Sequence, residues 1–311
     1  MAIYFAPLEG ITTYIYRNAF HHVYGGADKY FTPFITSATM SHREQMDTLP
    51  EHNSEITVVP QILTNRVDEF LDIAKRLHDL GYETVNLNLG CPSGTVVSKK
   101  RGSGFLSVPD DLHRFLDEIF DGCECNISIK TRIGLSSLDE WESILKVYQQ
   151  IPMEELIIHP RLQKEFYKGT PHLEAFTLAK EMLPKTKLCY NGDIHNIASY
   201  ENVMEQVAPT DIMLGRGLIA KPELLGVIAG ESAEDATLDV ARFTKFHNEI
   251  YTAYCDEMSG PSPTLFKMKE LWTYWIHNFP GEEKTLKRLL KTKKLAEYEG
   301  MVGELLHSLD D

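Results

Sequence analysis

Short β-branched or aromatic runs alternating with longer amphipathic segments constrain this chain most. The runs fall at 3–6, 29–32, 57–62, 84–89, 126–131, 155–158, 187–190 and 211–214. Helical periodicity lies between them, clearest at 65–80, 110–120, 138–150, 172–183 and 196–206. Asn65-Arg66-Val67-Asp68 has the look of a capped helix start and Gly81 that of its stop. Strands and helices alternating over about 230 residues are what a closed (β/α)8 barrel requires. A doubly wound open sheet is the alternative, weaker because that fold usually needs fewer strands. The pattern changes after Gly230: 231–239 is small and acidic, and 240–306 shows only helical periodicity. The expected fold is thus α/β: a TIM barrel over 1–232, followed by an all-helical domain over 233–311.

Composition narrows the class. The 311 residues suffice for a large core, and 43% hydrophobic with 24% charged residues is ordinary for a soluble globular protein. No apolar run is long enough to span a bilayer, and Met1-Ala2-Ile3-Tyr4 reads as a strand rather than a signal peptide. Five scattered cysteines point to a reducing cytoplasm. Cys123 and Cys125 lack a second ligand pair, so no metal site is expected. A net charge of −14 opposes binding nucleic acid across the whole surface, yet leaves room for a local basic patch. Lys284, Lys287, Arg288, Lys291, Lys293 and Lys294 recur mostly at i, i+3, i+4 spacing and predict one basic face, which simple solvation explains equally well.

In a barrel, chemistry belongs at the C-terminal ends of the strands. The polar residues gather there: Ala6-Pro7-Leu8-Glu9 ends the first strand, Gln61 lies in the third, and Asn88 and Cys91 follow the fourth. Lys130 and Arg132 end the fifth, His159 and Arg161 the sixth, Asn191-Gly192-Asp193 the seventh and Gly215-Arg216-Gly217 the eighth. Asn86 and Asn88 share one face of their strand, and two amides inside a barrel need polar partners. Glycines after strands seven and eight let backbone N–H groups approach a phosphate. Gly215-Arg216-Gly217-Leu218-Ile219-Ala220 matches a dinucleotide fingerprint, but it ends the α/β array and opens no βαβ unit, so it reads as a phosphate cradle. Lys130 fits a Schiff base or a charge facing an anionic cofactor, and His159 a base or a phosphate ligand. Cys91 fits a nucleophile, a metal ligand or a packed thiol.

Six motifs together resemble the tRNA-dihydrouridine synthases, flavin enzymes that reduce uridine in RNA. They are Ala6-Pro7-Leu8-Glu9-Gly10, Asn86-Leu87-Asn88-Leu89-Gly90-Cys91-Pro92-Ser93, Lys130-Thr131-Arg132-Ile133-Gly134, His159-Pro160-Arg161, Asn191-Gly192-Asp193 and Gly215-Arg216-Gly217. The resemblance covers essentially the whole chain. It implies an FMN-binding barrel, NADPH or NADH as electron donor, and tRNA or another structured RNA held by the helical tail. By the same resemblance Cys91 is the general acid, and the flavin contacts are Ala6, Pro7, Leu8, Gln61, Asn88, Lys130 and His159. Asn191, Gly192, Asp193, Gly215 and Arg216 match the phosphate turns. Arg132 and Arg161 match cations facing RNA or flavin; Lys99, Lys100, Arg101, Lys287, Arg288 and Lys291 are expected to hold RNA. The chain departs from the family's His-Gly-Arg-Thr at His159-Pro160-Arg161-Leu162, where proline fixes the turn and removes an N–H. An FMN barrel acting on a small pyrimidine, like dihydroorotate dehydrogenases, is the alternative, but it leaves the helical tail without a task.

Overall fold

The computed structural model describes residues 1–231 and 238–308. The strands are β1 (Ile3–Phe5), β2 (Lys29–Phe31), β3 (Val58–Val59), β4 (Gln61–Ile62), β5 (Thr84–Leu89), β6 (Asn126–Thr131), β7 (Glu155–Ile158), β8 (Lys187–Tyr190) and β9 (Asp211–Leu214). All neighbours are parallel, in the order β3-β2-β1-β9-β8-β7-β6-β5-β4. The expected third strand is split by Pro60, which has no N–H for a ladder. Its first half pairs with β2 and its second with β5, so this one bent segment closes the barrel. The open-sheet alternative is thereby excluded.

Around the strands run α1 (Tyr14–Tyr24), α2 (His42–Thr48), α3 (Val67–Asp79), α4 (Gly94–Val97), α5 (Pro109–Gly122), α6 (Glu140–Tyr148), α7 (Leu173–Met182), α8 (Ile197–Val207), α9 (Arg216–Ala220) and α10 (Leu224–Ala229). The start of α3 lies within the expected Asn65-Arg66-Val67-Asp68. Arg66 is its cap, Thr64 Oγ1 accepts the Arg66 N–H at 3.2 Å, and Asn65 donates to the Lys99 carbonyl at 3.1 Å. Gly81, at φ +94°, follows the helix in a conformation open to glycine and donates to the His78 carbonyl at 2.8 Å.

Alternation along the strands builds two cores. Tyr4, Ala6, Phe31, Val59, Ile157, Cys189 and Met213 point inward and fill the barrel. The opposite faces pack against the helices. The lower end is closed by charge: Tyr4 donates to Glu155 at 2.7 Å, and Lys187 lies 2.8 Å from Asp211. The upper end stays open.

Beyond the barrel lie α11 (Val240–Glu257), α12 (Pro261–Trp275), α13 (Glu283–Leu289) and α14 (Leu295–His307). Residues 232–237, which carry most of the expected linker and the expected 232/233 boundary, lie outside the described residues. The tail helices share the barrel's outer core. Phe246 of α11 meets Tyr16, Phe20 and Tyr24 of α1 at ring separations of 5.4, 6.3 and 5.2 Å. The basic run is not one helical face: α13 ends at Leu289, and Lys291, Lys293 and Lys294 occupy the turn before α14. No helix among the described residues is long and apolar enough to cross a membrane.

Candidate active site

The cavity at the open end encloses about 310 Å³ and is lined by residues from the C-terminal ends of β1, β4, β5, β6, β7, β8 and β9. Cys91 enters it on a turn fixed by its neighbours. Asn88 Oδ1 accepts the N–H groups of Gly90 at 3.0 Å and Cys91 at 2.9 Å. The Cys91 carbonyl accepts from Ser103 N at 3.1 Å and Ser103 Oγ at 2.8 Å. Gly102, at φ +55°, passes so close that an added Cβ would lie 2.9 Å from that carbonyl. From the other side Arg132 Nε donates to the Gly90 carbonyl at 3.0 Å, and Gln163 Nε2 to the Pro92 carbonyl at 3.0 Å. Burial pushes the Cys91 thiol above its ordinary range. A thiol that stays protonated at neutral pH is a proton donor and a poor nucleophile.

Beside it stand Gln61, Asn88, Lys130 and His159. Lys130 is opposite Asn88 in the β5–β6 register. Burial, followed by the charge of Arg132, lowers its ammonium to about 8. His159 is pushed well below the usual imidazole range by burial, then by Arg132, Lys130 and Arg161, so it is neutral near pH 7.

The far wall is made by the turns after β8 and β9. Asn191 Nδ2 donates to the Met213 carbonyl at 2.7 Å and ties the two strand ends together. Asp193 is held far below the usual carboxylate range. Burial alone would raise it, but hydrogen bonds from His195 and Arg161 and the charges of Arg161 and Arg216 outweigh burial. Arg216 reaches Asp193 at 2.8 Å. A Cβ on Gly217 would lie 2.1 Å from the Ile194 carbonyl, so only glycine lets these two turns close on each other. The short helix α9 then begins here, its Leu218 and Ile219 amides donating to the Gly215 carbonyl at 3.0 and 3.2 Å.

The cavity thus gathers Ala6, Pro7, Leu8, Gln61, Asn88, Cys91, Lys130, Arg132, His159, Asn191, Gly192, Asp193, Gly215 and Arg216. Arg132, expected with Arg161 to face RNA or flavin, lines the cavity, and Arg161 lies behind that lining. They are 1% and 0% exposed, and their guanidiniums are engaged by the protein itself. Besides Gly90, Arg132 donates to the carbonyls of Leu162 at 2.9 Å and Phe166 at 2.6 Å. Arg161 donates to the carbonyls of Lys168 and Gly169 and to Asp193. Converging carbonyls make such a burial tolerable. Lys99 and Lys100 are exposed on the loop that follows the Cys91 turn, whereas Arg101 folds back onto Glu69 at 2.9 Å. Lys287, Arg288 and Lys291 are exposed and stand apart from the cavity, with Arg288 paired to Glu304 at 2.7 Å.

Sequence reading assigned no site role to several cavity residues, among them Tyr167, Glu270 and Tyr274. Tyr167 is 52% exposed at the rim, and the guanidinium of Arg216 lies 4.3 Å from its ring centroid. Glu270 and Tyr274 reach the cavity from α12. Their four-residue spacing on one helix face was the only signal available, and core packing would give the same one. One cavity thus holds the Gln61 and Asn88 amides, the Lys130 ammonium, the glycine turns with Arg216, and the Cys91 thiol.

The family model described as dihydrouridine synthase matches residues 4–304. A probable tRNA-dihydrouridine synthase of Staphylococcus aureus is 27% identical over 317 aligned positions, covering 98% of this chain and 93% of that protein. The probable tRNA-dihydrouridine synthase 2 of Bacillus subtilis is 26% identical, covering 96% of this chain and 92% of its own. Among solved structures, morphinone reductase shares the barrel fold at a TM-score of 0.53 and 13% identity, covering 79% of this chain and 88% of that one.

Proposed function

The chain belongs to the dihydrouridine synthase family, and on that premise we propose that it reduces the C5–C6 bond of uridines in tRNA, using FMN in the barrel mouth and NADPH or NADH as electron donor. The observation that carries this reading is the Cys91 thiol, opening into the same cavity as Lys130 and the Gln61 and Asn88 amides, where burial favours its protonated form. The substrate class is supported by relatives named for tRNA.

The donor set fits a flavin mononucleotide. Gln61, Asn88 and Lys130 offer N–H groups to the rim of a ring, and Arg216 with the amides around Gly192 and Gly215 suits a phosphate. Reduced flavin, when bound, supplies the hydride that C6 of the uracil accepts. Cys91 Sγ–H then gives its proton to C5, which closes the balance of one hydride and one proton per uridine. Lys130, cationic below pH 8, holds positive charge against the ring wall. His159, neutral, donates or accepts a hydrogen bond without adding charge. The uracil must leave its stack to reach this depth, at a cost of roughly a few kcal/mol. Phosphate contacts from Lys99, Lys100, Lys287, Arg288 and Lys291 would offset that cost. In this reading 1–232 is the catalytic unit, 233–311 holds the RNA, and the cytoplasm is the place of action.

The test uses transcribed tRNA, free uridine and NADPH with the wild type and Cys91→Ala. The wild type should be yellow and form dihydrouridine on tRNA. Cys91→Ala should keep flavin and RNA binding while product formation falls by about 100-fold or more. Efficient reduction of free uridine, or a colourless protein that ignores added FMN, would sink the proposal.

A further inference from the structure

Asn86 is the buried amide that the reaction leaves without a task. It is 0% exposed and stands in register with Gln61 on β4 and Ser128 on β6, so three polar side chains form one row across the barrel interior. Their hydrogen bonds run in a single direction. Asn88 Nδ2 donates to Gln61 Oε1 at 2.7 Å, Gln61 Nε2 to Asn86 Oδ1 at 2.8 Å, and Asn86 Nδ2 to Ser128 Oγ at 2.9 Å. Ser128 Oγ donates in turn to the Val85 carbonyl at 3.3 Å.

Both ends of this chain are backbone groups that cannot invert. At one end the amides of Gly90 and Cys91 take both lone pairs of Asn88 Oδ1. At the other a carbonyl accepts the Ser128 hydroxyl. No amide between them can flip without setting donor against donor or acceptor against acceptor. Asn88 is left with one N–H for the cavity, and the Cys91 turn is held by an oxygen whose orientation depends on the row behind it.

We propose that Asn86 and Ser128, which line no part of the cavity, are positioning residues: they fix the direction of the Gln61 and Asn88 amides and so hold the Cys91 turn and the donor face beside it. The consequence for catalysis rests on the function proposed above; the structural consequence does not.

The experiment compares Asn86→Leu, Ser128→Ala and Asn86→Asp in the full chain. Hydrogen exchange of the Gly90 and Cys91 amides is read by mass spectrometry on short peptides. Asn86→Leu and Ser128→Ala should accelerate exchange at these amides by about fivefold or more, the size of one unsatisfied buried partner. Asn86→Asp keeps an acceptor for Gln61 Nε2 and should preserve protection. In turnover, the first two should lower kcat for tRNA at unchanged KM, and Asn86→Asp should restore it. Unchanged exchange at Gly90 and Cys91, acceleration spread evenly over all barrel strands, or Asn86→Asp behaving like Asn86→Leu would overturn the proposal. A wild type that makes no dihydrouridine would remove the proposed function while leaving the exchange result to decide the positioning role.

Discussion

At the scale of the residue, burial decides what each cavity group can do, and Lys130 is the clearest case. Its ammonium titrates at about 8 in the folded chain, lowered by burial and then by Arg132, against roughly 10.4 in an unfolded one. Between those values the unfolded state binds more protons, so the flavin-free chain gains stability as pH rises from about 8 towards 10. The gain should be on the order of 2 kcal/mol. Thermal melts of the flavin-free wild type and Lys130→Met across that window should show the wild type rising relative to the variant. A constant difference would mean that Lys130 titrates normally. That these residues share a site was legible, because strand alternation and glycine turns place Gln61, Asn88, Cys91, Lys130 and Gly215 at one end of the barrel. The fate of Arg132 and Arg161 was not. A cation near a strand end reads as solvent-facing unless one knows which carbonyls converge on it, and apart from Gly90 those come from residues 162–169, a loop whose path no local pattern specifies.

The two arginines matter most at the scale of the element, because together they hold the segment after β7. Arg132 takes the carbonyls of Leu162 and Phe166, and Arg161 those of Lys168 and Gly169. Between the clamps Phe166 adopts φ +53°, a costly conformation for a residue with a side chain, and Tyr167 projects over the rim. Removing Arg132 leaves the Gly90 and Phe166 carbonyls without donors and strips Leu162 of one of its two, so Arg132→Met should cost about 3 kcal/mol or more. Arg132→Lys should recover little, since a point-like ammonium cannot fork towards Gly90, Leu162 and Phe166 at once. Limited trypsin digestion reports this directly at Lys164 and Lys168, both exposed on the segment. Cleavage there should quicken in both variants, and cleavage at the wild-type rate would show that the loop holds itself. Other elements differ in how openly the sequence declares them. The regular helices α3, α5 and α8 were expected from one apolar stripe each. Helix α1 was not, because wedged between the barrel and α11 it buries Ile15, Tyr16, Arg17, Ala19, Phe20, Val23 and Tyr24 and so has no clean polar face.

For the whole molecule the question is how a chain of net charge −14 holds a polyanion. Among its exposed cations, two local groups are candidates: Lys99 and Lys100 beyond the Cys91 turn, and Lys284, Lys287, Arg288 and Lys291 around α13. They are not equivalent. Arg288 already pairs with Glu304 at 2.7 Å, and the cost of leaving that partner reduces what it gives to a phosphate. Among the described residues no ion pair joins Lys287 or Lys291. Reversal to glutamate should therefore weaken tRNA binding more at Lys287 or Lys291 than at Arg288. Each lysine that meets a phosphate should also lower the dependence of log K on log salt by about 0.7 to 0.9. Filter binding at several salt concentrations measures both quantities. NADPH oxidation without RNA should be untouched, because α13 stands apart from the cavity. Equal affinity and equal salt slope in Lys287→Glu and Lys291→Glu would make this run a solvated face, and the RNA would then have to be held by the loop at Lys99 and Lys100 and by the rim around Tyr167.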